Sequence, residues 1–84
     1  MPTYLHLASS ENEEARFMHR ITNPIDEEVG DEFDYNDHYY FQISEKGLID
    51  FKQRNLTKGI YIIRQKYYDS KGEFWTVVMH KKPE

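Results

Sequence analysis

The stretch Ile60–Lys81, IYIIRQKYYDSKGEFWTVVMHK, decides the architecture. Two runs rich in β-branched and aromatic residues flank Asp69-Ser70-Lys71-Gly72, and in each run successive side chains alternate between two faces. Asp at the first turn position and Gly at the last suit a type I turn closed by a left-handed glycine, so the stretch reads as a hairpin. That turn sets Tyr67 opposite Trp75, Gln65 opposite Val77 and Ile63 opposite Met79. Together with Tyr61 these residues give a face that is almost wholly apolar. The other face, which includes Ile60, Ile62, Val78 and His80, is too apolar at its base to be simply solvated. Part of it is expected against a helix or another molecule.

Upstream, Ser44-Glu45-Lys46-Gly47 repeats the turn chemistry. It predicts a second hairpin with Ile43 opposite Ile49 and Phe41 opposite Phe51. A helix over 45–54 competes, weakened by Gly47 and Ile49. Nearer the N-terminus, Thr3–Leu7 alternates as a strand. Ser10-Glu11-Asn12-Glu13 then has the capping-box form, and Phe17, Met18 and Ile21 follow at helical spacing, which predicts a helix over Glu11–Ile21. Pro24 disfavours its continuation. Residues 22–37 form an acidic segment, either a loop or an edge strand over Val29–Tyr35 that turns at Asn36-Asp37 into His38–Ser44. The expected fold is therefore α+β, a single small domain over 1–84. One N-terminal helix packs on a twisted antiparallel sheet of four to six strands, made of two or three consecutive hairpins.

Composition narrows the class. The 84 residues hold no cysteine, which removes disulfides, thiolate metal sites and thiol nucleophiles. No apolar run approaches the roughly 20 residues of a membrane span. The first ten residues carry no basic residue, unlike a secretory leader, and a cytoplasmic location is expected. The net charge of −4 hides an asymmetry: up to Asp37 there are ten acids against Arg16 and Arg20, and beyond it nine bases against five acids.

Seven carboxylates fall within twelve residues: Asp26, Glu27, Glu28, Asp31, Glu32, Asp34 and Asp37. Their mutual repulsion calls for solvent, a cation or a positive partner, and one function is imitation of nucleic-acid phosphates toward a basic groove. No Ca²⁺ loop order is present, and His6, His19, His38 and His80 occur singly, so no metal or other cofactor is expected. Ser9, Ser10, Ser44 and Ser70 sit at caps or turns without a nucleophile elbow, and no phosphate-cradling glycine loop exists, so the chain does not read as an enzyme. The leading expectation is a small non-catalytic protein that binds, and inhibits or regulates, another protein through the acidic segment. The alternative is a single-stranded RNA or DNA reader using Lys52, Arg54, Arg64, Lys66, Tyr68 and Phe74, where cations and aromatics mix on a sheet.

Overall fold

The computed structural model describes residues 1–40 and 43–83, and within them every side chain except those of Phe17, Met18, His19 and Tyr40. The stretch Ile60–Lys81 is a hairpin, with β1 (Thr3–Ala8), β2 (Arg16–Ile21) and β3 (Glu32–Tyr35) preceding its strands β4 (Gly59–Asp69) and β5 (Phe74–Lys81). Ile63 faces Met79 as the turn chemistry predicts. Beyond that point the pairing moves by one residue: Gln65 faces Val78 and Tyr67 faces Thr76, with a bulge at Arg64 between the two registers.

The cause lies in the loop. Asp69 pairs with Phe74, so the connection runs through Ser70–Glu73 and is one residue longer than the turn chemistry implies. Asp69 Oδ1 accepts from the amides of Lys71 (2.9 Å) and Gly72 (3.0 Å), and the left-handed residue is Glu73 (φ 56°) instead of Gly72. Glycine is needed at 72 for another reason: a Cβ there would run into the Phe74 ring. The bulge absorbs the extra residue and turns Lys66 and Tyr68 to the side of Val77 and Trp75. Tyr67, expected in the core, points outward with 52% of its surface exposed. Tyr61, Ile63, Val77 and Met79 keep the expected core positions.

The sheet is mixed, which overturns the antiparallel expectation. β1 lies parallel to β5, with Leu5 beside Val77 and Leu7 beside Met79, and antiparallel to β2; β4 pairs with β3 on its far side. The strand order is β2-β1-β5-β4-β3, curled into a half-barrel. No helix occupies Glu11–Ile21. After Ser10 the chain makes a turn, with the Glu13 amide donating to Ser10 O (3.2 Å), and Arg16–Ile21 takes its backbone partners from β1. The capping-box pattern is satisfied by a turn, and pairing to β1 outweighs weak local helix preference.

The first expected hairpin is also absent. The chain runs from β3 into α1 (Asp37–Tyr40) and α2 (Glu45–Gln53), so the helix lies mid-chain. The Asn36 side chain accepts from the His38 amide (3.0 Å) and starts α1 where a two-residue turn was expected. Ser44 caps α2 through the Gly47 amide (3.2 Å). The helix ends in a Schellman arrangement: Leu56 N donates to Phe51 O, Asn55 N donates to Lys52 O, and Asn55 takes the left-handed position at φ 59°. Phe51 and Leu56, in contact across that ending, are both buried. The expected Phe41–Phe51 pair falls partly outside the described residues.

One core fills the concave side. Leu5, Leu7, Tyr61, Ile63, Val77 and Met79 from the central strands meet Phe33 and Tyr35 of β3, and Ile21, Ile25, Phe51 and Leu56 close over them. Each fully buried apolar side chain of this size contributes about 1.5–3 kcal/mol. Both helices lie on this side, so the outer hairpin face, with Tyr4, Phe74 and Val78 half-buried, packs under neither of them. Among the described residues no helix is long and apolar enough to cross a membrane.

Candidate functional site

The acidic segment is a built surface strip, and a lysine of the basic half builds it. Lys66 projects from β4 toward residues 25–28, with its side chain only 9% exposed. Its ammonium donates to the backbone carbonyls of Ile25 and Glu27 (3.0 Å each) and to Glu28 Oε1 (3.3 Å), and lies 5.3 Å from the centre of the Trp75 ring. Ile25 is buried beside it and pins the start of the strip.

The next residues form a tight turn. Asp31 N donates to Glu28 O (3.0 Å), the Asp31 carboxylate accepts from Glu28 N (2.9 Å), and Gly30 sits at φ +93°, as the third position of a type II turn demands. Gly30 N donates to Ile63 O and Ile63 N to Asp31 O, so the turn is stitched to β4. In β3, Phe33 and Tyr35 point inward and Glu32 and Asp34 outward. Tyr39 then stacks on Tyr35 at 6.1 Å and leans on Phe33 at 5.2 Å. Burial, with the nearby carboxylates of Glu27 and Asp34, raises its phenol above the ordinary tyrosine pKa.

Three carboxylates have cationic partners: Glu28 pairs with Lys66, Glu32 with Lys82 and Asp37 with Lys58 (2.7 Å). Asp26, Glu27, Asp31 and Asp34 have no basic side chain within ion-pair distance among the described residues. The structure therefore places all seven sequence-selected acids along one hydrogen-bonded strip, six of them exposed and Glu27 half-buried.

The residues selected for nucleic acid do not converge. Arg64, aimed by the bulge, donates from Nε to His80 Nδ1 (3.0 Å) and from Nη2 to Ser10 O (2.9 Å) and Glu13 O (3.0 Å). Arg54 pairs with Asp50 on α2 and lines a depression beside Ala8 and Ser9. Phe74 packs edge-on against Tyr4 (4.8 Å) and so lies at the opposite end of β1. Tyr68 leans on Trp75 at 5.2 Å, and Lys52 is exposed on α2. Cations and aromatics are thus separated or already committed.

Two open clefts, of 610 and 430 Å³, share Lys81, Lys82 and Pro83 as walls. Lys81 donates to Thr57 Oγ1 (2.9 Å), Lys82 is paired with Glu32, and Glu11 lines the larger cleft, so little uncompensated positive charge faces it. No group of three His, Asp or Glu residues is placed to hold a metal among the described residues. Compared with known protein families, curated proteins and solved structures, the chain matches none.

The anchoring lysine escaped sequence reasoning, which grouped Lys66 with the solvent-facing bases. Its signal was a cation inside an aromatic strand facing seven acids. The one-residue shift that aims it inward depends on the loop length and is invisible in the alternation.

Proposed function

We propose that the protein is a non-catalytic interaction module that binds a basic surface of another protein through the Asp26–Asp37 strip, and inhibits or regulates that partner by occupying a groove meant for phosphates. One observation carries this reading. Lys66 holds the strip mainly by its backbone carbonyls, so the loop is fixed while most of its carboxylates still face solvent. A flexible acidic loop would lose conformational entropy on binding, and an ordered one has already lost it. Phosphate mimicry needs negative charges at fixed spacing, and a pinned turn followed by a strand supplies that regularity. The absence of cysteine fits a reducing compartment, and we place the protein in the cytoplasm on that ground.

Affinity capture from the host with and without nuclease tests the proposal. The bait is wild type beside a variant carrying Asp26→Asn, Glu27→Gln, Asp31→Asn and Asp34→Asn. Asn at 31 keeps the acceptor for the Glu28 amide, so the turn survives. A nuclease-resistant protein partner that binds wild type, weakens with salt and leaves the variant is the expected result. Equal capture by both baits would refute the reading. Tight binding of short single-stranded RNA or DNA at low salt would favour the nucleic-acid alternative, which the commitment of Arg64 and Lys66 to internal carbonyls and to His80 disfavours.

A further inference from the structure

The Arg64–His80 contact is a latch on the Ser10–Glu13 turn, and the geometry points to a latch that opens when His80 takes up a proton. This goes beyond the partner reading and does not depend on it. An arginine Nε always carries hydrogen and can only donate, so the 3.0 Å contact to His80 Nδ1 requires a lone pair there. In this arrangement Nδ1 is the acceptor and the ring hydrogen sits on Nε2. Protonation would place a second N–H against the guanidinium and a second positive charge beside it, and the hydrogen bond could not persist.

The same guanidinium carries the turn. Its Nη2 donates to both Ser10 O and Glu13 O, which are joined to each other by the Glu13 amide. Arg64 reaches this position because it is the bulged residue of β4, and His80 is a buried member of β5 with only 9% of its surface exposed. Displacing Arg64 would free two carbonyls of a turn that otherwise has one internal backbone bond, and would widen the cleft that Ser9–Asn12 wall.

The charged surroundings do not supply a substitute contact. On β1, Ala8 lies opposite His80, and His6, the nearest titratable group of that strand on the same face, lies beside Val78. On β4, Ile62 is opposite, and Arg64 is the charged side chain that contacts the ring among the described residues. Lys82 lies just beyond the end of β5 and is tied to Glu32 of β3. The turn itself brings Glu11, Glu13 and Glu14, all exposed, and none is within ion-pair distance of Arg64 among the described residues.

Nuclear magnetic resonance on the wild-type chain tests the latch. Long-range proton–nitrogen spectra at about pH 7.5 should show His80 as the Nε2–H tautomer. On acidification toward about pH 5, the Glu13 amide should lose protection in step with the His80 titration. The loss should be about tenfold beyond the intrinsic change of exchange rate, the scale of one charge-assisted hydrogen bond. His80→Gln, whose amide oxygen accepts at every pH, should keep the turn protected throughout. Three results overturn the inference: an Nδ1–H tautomer at neutral pH, Glu13 protection that ignores the His80 titration, or the same acid loss in His80→Gln. The tautomer measurement needs no variant, so failure of His80→Gln to fold leaves the inference exposed to refutation.

Discussion

Replacing Lys66 by Met keeps most of the aliphatic stem against Trp75 and removes the ammonium that holds the acidic strip. Two charge-assisted bonds to the Ile25 and Glu27 carbonyls are lost, each worth about 1.5–3 kcal/mol in isolation. Relief from desolvating the charge offsets part of that. The contact to Glu28 adds little, because that carboxylate is 73% exposed. The net expectation is a loss of about 2–3 kcal/mol, a large fraction of the roughly 4–12 kcal/mol that a domain of this length has. Urea unfolding followed by Trp75 fluorescence reads it directly, as a midpoint lowered by about 1–2 M. Glu28→Gln should stay within about 0.5 kcal/mol of wild type. If Lys66→Met unfolds with the wild-type midpoint, or if Glu28→Gln matches its loss, the strip is not held by its backbone and the account of its rigidity fails.

Ser44→Ala removes the cap of α2 and should lower stability by about 1 kcal/mol in the same assay, while Ser70→Ala, at a turn position without a capping bond, should not. Tyr61→Phe deletes the hydrogen bond to Thr57 O inside a fully buried site and should lose about 1 kcal/mol with the fold intact by circular dichroism. Glu73→Gly relieves a left-handed non-glycine residue and should raise the melting temperature, whereas Gly72→Ala, which drives a methyl into the Phe74 ring, should lower it. Burial lowers the His6 pKa below its ordinary value of 6.5, so the folded state favours the neutral ring. The stability this contributes is present above 6.5 and is lost as pH falls through the lowered folded value. Thermal melts down through that range should show the decline, and His6→Gln should show a shallower one.

The parts of the fold legible from the residues are those whose pairing is local or whose alternation is strict. Thr3–Leu7 and the Ile60–Lys81 hairpin announce themselves by period two, whereas Val29–Tyr35, read as either a loop or an edge strand, is a turn up to Asp31 and a strand only over Glu32–Tyr35, with Phe33 and Tyr35 inward. Arg16–Ile21 did not, because its six residues are a strand only by virtue of β1. Taken alone, a capping-box sequence ahead of Phe17, Met18 and Ile21 is as good a helix start as any. The reverse error occurred at Glu45–Gln53, where alternation of Ile49 and Phe51 suggested a strand. The structure buries Phe51 and leaves Ile49 exposed on a helix fixed by Ser44 and the Schellman ending. The acidic strip was visible as composition. Its stiffness was not, since it depends on a bulge that sends Lys66 across the sheet.

The parallel seam between β1 and β5 has a consequence in time. The β4–β5 hairpin closes over a short loop and can form early, and β1 with β2 is nearly as local. Neither ribbon buries the other's apolar face until Leu5 and Leu7 reach Val77 and Met79, some seventy positions along the chain. During synthesis the first strands therefore wait, with their inward residues uncovered, until β5 has left the ribosome. The core of this domain therefore cannot close before β5 is available, and a nascent chain stalled before β5 is a ready substrate for chaperones and proteases.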